Sequence, residues 1–163
     1  MKILALDLGT HTGWALFNGN RVESGVQVFD VKRGESPGMR YLRLNNWLNE
    51  IDLLTEGGLD LVVYEQCHMR GGAATEVAAG FSTRVQAFCA GDDIEHSAVH
   101  SATLKKFATG HGNAGKPDMI AAARLKLGFK GDDDNEADAL WLLEYARKEL
   151  VSAWWWLKEH AGK

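Results

Sequence analysis

Residues 3–20 read ILALDLGTHTGWALFNGN, and this stretch has the pattern of two strands and a turn. The apolar run over residues 3–8 is typical of a buried strand, and residues 12–17 form a second strand candidate. The Asn-Gly-Asn tripeptide at 18–20 favours a tight hairpin, because these residue types tolerate the positive φ of such turns. Residues 22–29 then place valines among polar neighbours. We therefore expect the chain to open with three antiparallel strands in a meander.

After a polar loop, the apolar residues recur with the 3.6-residue period of a helix. The apolar face of this predicted helix contains Tyr41, Leu44, Leu48, Ile51 and Leu53 or Leu54. Gly57 and Gly58 are expected to end it.

The remaining segments alternate between strand and helix patterns. Ser101 is a candidate N-cap for one helix, and Pro117 is compatible with the first turn of the next. The predicted strands are residues 59–64 and 94–99, and the predicted helices are residues 73–90, 102–108, 116–127 and 134–148. The order β-β-β-α-β-α-β-α-α-α predicts an α/β fold, in which a five-stranded mixed sheet is flanked by helices.

The length and composition indicate one globular domain. The chain has 163 residues, of which 45% are hydrophobic and 25% are charged. We expect a single domain over residues 1–163, with a Trp-rich helical segment at about 150–161. The net charge of −4 excludes a globally basic nucleic-acid binder but allows a local basic face.

The sequence favours a cytoplasmic protein. Cys67 and Cys89 make neither a disulfide framework nor a close CxxC pair. No apolar run approaches the roughly 18 residues of a membrane span. An acid at position 7 interrupts the N-terminal apolar run, whereas a secretory signal needs a longer one.

Acidic residues occupy positions that packing does not explain. Asp7 and Glu65 stand at the ends of the first and fourth strands, and Asp138 lies in an otherwise apolar helical stretch. On that helix, Asp134 and Asn135 share the face of Asp138. Two carboxylates about 4.5 Å apart repel by roughly 4 kcal/mol at an effective dielectric near 20, so such a cluster needs a cation. Oxygen ligands suit Mg²⁺ or Mn²⁺, and two such ions can serve phosphodiester hydrolysis.

Four sequence blocks, in this order and spacing, carry a family resemblance. The blocks are LDLGT (6–10) with TGWA (12–15), VVYE (62–65) with RGGAAT (70–75), LKKFATG (104–110) through GK (115–116), and DNEADAL (134–140). With these blocks the chain resembles the RuvC-type Holliday junction resolvases of the ribonuclease-H-like superfamily, in particular their small phage-borne branch. The resemblance extends from residue 3 to about 145.

The resemblance implies a homodimeric endonuclease that cuts four-way DNA junctions with divalent metal and takes no small-molecule substrate. It implies that Asp7, Glu65 and Asp138 bind two Mg²⁺ or Mn²⁺ ions per site, and that Lys116 is catalytic or contacts phosphate. Many members have an acid where this chain has Asn135. Asp134 is the rival fourth ligand, and the choice stays open at this stage. The expected setting is the cytoplasm of a bacterial or phage-infected cell.

Basic residues and glycines beside the acidic blocks predict a DNA-contacting face. The residues predicted to contact DNA are Arg70, Gly71, Gly72, Arg84, Lys105, Lys106, His111 and Lys116. Trp154, Trp155 and Trp156 suggest either caps on the core or a dimer contact.

Three other functions fit parts of the pattern. A related nuclease could act on RNA or on flap DNA. A sugar-kinase-like or actin-like ATPase would share the Asp-x-Gly-Thr motif, but such proteins use two domains of this kind. A non-catalytic junction-binding protein is suggested by Asn135.

Overall fold

The chain folds as five strands and five helices within the residues that the computed structural model describes, 1–67 and 72–151. The strands are β1 (Ile3–Asp7), β2 (His11–Phe17), β3 (Val22–Val28), β4 (Leu61–Glu65) and β5 (Glu95–Val99). The helices are α1 (Met39–Leu54), α2 (Ala73–Gly91), α3 (Ser101–Thr109), α4 (Lys116–Leu127) and α5 (Asp134–Tyr145), and a π-helical turn, Ala146–Leu150, follows α5.

The strands form one mixed sheet in the order β3-β2-β1-β4-β5. The antiparallel pairs are β1 with β2 and β2 with β3, whereas β4 runs parallel to β1 and β5 runs parallel to β4. This topology confirms the predicted sheet and element order, and it agrees with a ribonuclease-H-like fold.

Each face of the sheet carries its own apolar core. Ile3 and Ala5 of β1 face the layer of α3, α4 and α5, where Trp141 is buried. Leu4 and Leu6 face the layer of α1 and α2. Residues of a strand alternate between the two faces, so both cores follow from the same apolar run. Full burial of one such side chain contributes about 1.5–3 kcal/mol.

The predicted end of the apolar face of α1 is wrong. Leu53 and Leu54 are 84% and 77% exposed, whereas Thr55 is buried. Counting from Leu48, the next inward positions are 51 and 55, so Thr55 takes the place that was expected for leucine. Its hydroxyl donates a hydrogen bond to the carbonyl of Ile51 at 2.7 Å, which makes the burial tolerable.

Helix boundaries also differ from the sequence interpretation. Ser101 is the first residue of α3, and His100 precedes it at the N-cap without a side-chain hydrogen bond. The helix predicted over 134–148 changes to π-helical geometry at Ala146–Leu150. The described ranges contain no helix long and apolar enough to cross a bilayer. The Trp-rich segment predicted at about 150–161 lies outside the described residues, apart from its first two.

Candidate active site

Two acids of the site come from adjacent parallel strands. Leu6 of β1 lies opposite Tyr64 of β4 in the parallel register. The next residues, Asp7 and Glu65, therefore stand side by side at the carboxyl edge of the sheet. By alternation both follow Ala5 and Val63 onto the face that α5 covers. The sequence alone left open whether the first and fourth strands are neighbours, and the parallel pairing of β1 with β4 meets this condition for the two acids to converge.

Helix α5 supplies the other carboxylates. Asp133 caps the helix, and its side chain accepts hydrogen bonds from the backbone N–H groups of Asn135 and Glu136, at 2.9 and 3.1 Å. Asp134 and Asp138 are one turn apart on α5. The helix packs on β1 and β2, so its acidic face lies over the end of β1.

Electrostatic effects show that these acids share one environment. Burial raises the pKa of Asp7 well above its usual range, and the charges of Asp138, Glu65 and Asp134 raise it further. Burial is also the largest effect on Asp138, followed by Glu65 and Asp134, and together they raise its pKa to about 7. Each shift means that the ionised form is disfavoured where the groups stand together.

Two lysines oppose this accumulation of negative charge. Lys105 of α3 and Lys116 of α4 both lower the pKa of Asp138, and Lys116 also lowers that of Asp7. Lys116 forms an ion pair with Asp134, and the resulting hydrogen bond is the main cause of the raised pKa of this lysine. The site therefore contains an internal cation.

One carboxylate oxygen of the site has no hydrogen-bond partner among the residues that the structure describes. Within residues 1–67 and 72–151, Oδ1 of Asp138 is buried and accepts no hydrogen bond. A buried acceptor left without a partner is costly unless a ligand or ion satisfies it. The oxygen-rich donor set suits a hard divalent cation such as Mg²⁺ or Mn²⁺.

The carboxylates do not form a finished coordination shell. In the part of the chain that the structure describes, no group of three or more His, Cys, Asp or Glu side chains is arranged to hold a metal ion. Their mutual influence on pKa acts over longer distances than metal–oxygen bonds, so the two observations agree. Ligation would require the side chains to move closer together.

The predicted DNA-contacting residues fall into separate places. Lys105 and Lys116 lie near the acids. Lys106 is exposed on α3, and His111 is exposed in the loop that follows it. Gly72 precedes α2 with a φ of 87°, which favours glycine.

Arg84 is not brought to the acidic site. It lies on α2, which packs on the opposite face of the sheet, and its guanidinium sits 6.0 Å from the ring centroid of Tyr41. Several helical turns separate Arg84 from the glycine loop, and its predicted contact with DNA stays a prediction. Arg70 and Gly71 lie outside the described residues.

The sequence interpretation missed two residues that hold α5 in place. The hydroxyl of Ser24 in β3 donates a hydrogen bond to Oε1 of Glu136 at 2.7 Å. Gly13 in β2 lies directly beneath the first turn of the helix. A glycine inside an apolar strand is a signal of close backbone approach, whereas nothing in the sequence marked Ser24.

Comparison with known proteins identifies the fold. No protein-family model matches the sequence, and no curated protein matches it. Among solved structures, Thermus thermophilus RuvC matches with a TM-score of 0.69 and 22% identity over 90% of this chain and 96% of that chain. A structure of T. thermophilus RuvC in complex with a Holliday junction substrate matches with a TM-score of 0.70 and 21% identity, over 87% and 90% of the two chains. The chain therefore has the fold of these RuvC structures.

Proposed function

We propose that this chain is a divalent-metal-dependent endonuclease that resolves four-way DNA junctions. The observation that carries the proposal is the meeting of Asp7 and Glu65 from two strand ends with Asp134 and Asp138 from α5, beside two lysines. The fold likeness to RuvC, including a structure with a Holliday junction, supports the choice of substrate.

The proposed metal ligands are Asp7, Glu65 and Asp138, with Asp134 as the fourth. Asp134 is favoured over Asn135 because its charge acts on both Asp7 and Asp138. Two Mg²⁺ or Mn²⁺ ions per site would stabilise charge on the phosphate and lower the pKa of water. The assignment is supported by the buried Oδ1 of Asp138, which has no hydrogen-bond partner within residues 1–67 and 72–151.

The lysines have a distinct proposed task, which is to hold the phosphate. Lys116 is mostly exposed even while paired with Asp134, so its ammonium group can reach a backbone phosphate. Lys105 lies on the neighbouring helix and already influences Asp138. Hydrolysis forms a bond from phosphorus to the oxygen of water and breaks the P–O3′ bond; the water loses a proton, and the 3′-oxygen leaves and takes up a proton to become a hydroxyl group.

We further propose that the chain acts as a homodimer in the cytoplasm of a bacterial or phage-infected cell. A four-way junction has two strands to cut for resolution, so two equivalent sites match the substrate. Sedimentation of the protein with and without a junction tests the dimer directly. A monomer on the junction would contradict this part of the proposal.

A substrate panel tests the proposed activity. We expect cleavage of a synthetic four-way junction in Mg²⁺ or Mn²⁺, with much slower cleavage of a flap, a linear duplex and an RNA–DNA hybrid. Preferential cleavage of the flap or hybrid would favour a related nuclease. Tight junction binding without nicking at any metal concentration would favour the non-catalytic binder that Asn135 suggests.

A further inference from the structure

Gly13 lies where the sheet and α5 come closest. It is buried in β2 and pairs with Asp7 of β1 in the antiparallel register. A Cβ atom added at Gly13 would overlap the backbone carbonyl of Asn135 and lie 2.8 Å from the backbone nitrogen of Glu136. The first turn of α5 therefore rests directly on the backbone of β2.

The atoms that occupy this space belong to the backbone, so no side-chain rotation could make room. Gly80 in α2 provides a contrast, because a Cβ added there would meet the ring of Tyr41, at 2.6 Å from Cε1. At position 80 the tyrosine side chain can change its rotamer to make room. At position 13 either the whole helix has to move or the strand has to bend. Position 13 therefore tolerates an added side chain less well than position 80.

The part of α5 that rests on Gly13 is also the part that carries the acids. Asp134 and Asn135 lie in this first turn, and Asp138 follows one turn later. The hydrogen bond from Ser24 to Glu136 ties the same turn to β3. Any displacement of the turn would carry these carboxylates away from Asp7, which stands beside Gly13 in the sheet.

We infer that Gly13 is a positioning residue for the proposed metal site, because its lack of a side chain sets the depth at which the acids of α5 meet Asp7 and Glu65. The inference rests on the proposed function, since it concerns the same carboxylates. An alanine at position 13 would hold the turn away by about 1 Å or more, and this displacement would add to the distance that the carboxylates already have to close before they can share a metal ion. We expect Mn²⁺ affinity to fall by about 10- to 100-fold.

The test measures Mn²⁺ binding by the electron paramagnetic resonance signal of the free ion, without DNA. Wild type, Gly13→Ala and Gly80→Ala are compared at a temperature where circular dichroism shows all three to be folded. Gly80→Ala is the matched control, because it also crowds a packed glycine but on the opposite face of the sheet. We expect it to lose stability yet to bind Mn²⁺ within about twofold of wild type. A general packing defect would lower the stability of both variants but would not lower the Mn²⁺ affinity of Gly13→Ala alone.

Each outcome decides the inference. Wild-type affinity in Gly13→Ala would overturn it. If Gly13→Ala fails to fold even in the cold, Ser24→Ala replaces it, since this variant loosens the same turn. An affinity reduced about threefold or more would then support the inference, and an unchanged affinity would overturn it. If wild type binds Mn²⁺ no better than Asp138→Asn, the proposed function fails and the inference fails with it. Normal wild-type binding with an unaffected Gly13→Ala contradicts the inference alone.

Discussion

Lys116, the first residue of α4, forms an ion pair with Asp134, the first residue of α5. The ammonium group of Lys116 is therefore paired with a carboxylate that we propose as a metal ligand, so it competes with the metal ion for this group. It also lowers the pKa values of Asp7 and Asp138. Lys116 therefore neutralises part of the negative charge that the clustered carboxylates create.

The ion pair predicts opposite effects of Lys116→Met on metal binding and on catalysis. Mn²⁺ affinity should rise roughly two- to fivefold, because an exposed ion pair of this kind contributes at most about 1 kcal/mol. Junction cleavage at saturating Mn²⁺ should fall by about 100-fold or more, because a group that holds the phosphate is lost. Lys148→Met, which removes the ion pair with Glu144 at 2.9 Å, is the control and should change neither quantity. Unchanged cleavage by Lys116→Met would contradict the assigned role.

The raised pKa of Asp138 predicts that Asp138→Asn stabilises the metal-free protein at pH 8. The folded protein holds this proton more tightly than the unfolded chain, whose aspartate titrates near 3.8. The corresponding stability is present below about pH 4 and is lost as pH rises to about 7. The free energy of unfolding that is lost over this pH range is on the order of 4 kcal/mol at most, because each pKa unit corresponds to about 1.4 kcal/mol.

Urea unfolding in a metal chelator at pH 4 and pH 8 measures this effect. Asp138→Asn should gain stability over wild type at pH 8 and little at pH 4. The exposed loop acid Asp132 provides the control variant, Asp132→Asn, which should show no such difference. A destabilised Asp138→Asn at pH 8 would mean that the carboxylate has a partner in solution.

The same shifts predict that metal binding releases protons. With a pKa of about 7, Asp138 is partly protonated near neutral pH without metal; the pKa of Asp7 is also raised by burial, and ligation requires the ionised form of both groups. Mn²⁺ affinity should therefore rise between pH 6 and pH 8, by up to about tenfold per pH unit for each proton released. Calorimetry in buffers of different ionisation enthalpy counts these protons. A Mn²⁺ affinity that is independent of pH over this range would contradict the assignment.

Lys105 and Arg84 are expected to differ in DNA binding, although both were candidates from sequence. Lys105 lies near Asp138, whereas Arg84 lies over Tyr41 on the other layer. Lys105→Gln should weaken junction binding and reduce the slope of log K against log salt by about 0.9, the loss of one phosphate contact. Arg84→Gln should leave both nearly unchanged. Equal effects of the two substitutions would place the DNA across a different surface.

Much of the fold was predictable because it depends on local patterns. The apolar runs of β1 and β4 predicted two strands with an acid at the end of each, whereas the parallel pairing that brings Asp7 and Glu65 to one edge is seen only in the structure. The end of α1 was not predictable, because the burial of Thr55 in place of Leu54 depends on where the helix stops. Hydrophobicity alone does not reveal that boundary.

The depth of α5 and the pairing of Lys116 also escaped prediction. Both depend on how an element packs against another that is distant in sequence: Gly13 touches Asn135, and Lys116 reaches Asp134 across a loop. Arg84 shows the same limit, since the sequence did not reveal that α2 places it on the other face of the sheet from the acids. Sequence motifs therefore identify candidate functional residues, whereas the tertiary contacts determine which of these residues lie close together.

Cleavage of a synthetic four-way junction by Asp7→Asn tests the central claim most directly. Wild type, Asp7→Asn and the exposed-acid control Glu50→Gln are compared in saturating Mn²⁺, with folding of each verified by circular dichroism. Asn keeps the shape of the side chain but removes the charge that would hold the ions, so we expect cleavage to fall by roughly 100-fold or more. Glu50→Gln should cut like wild type. If Asp7→Asn cuts the junction as fast as wild type, the clustered carboxylates are not the catalytic centre.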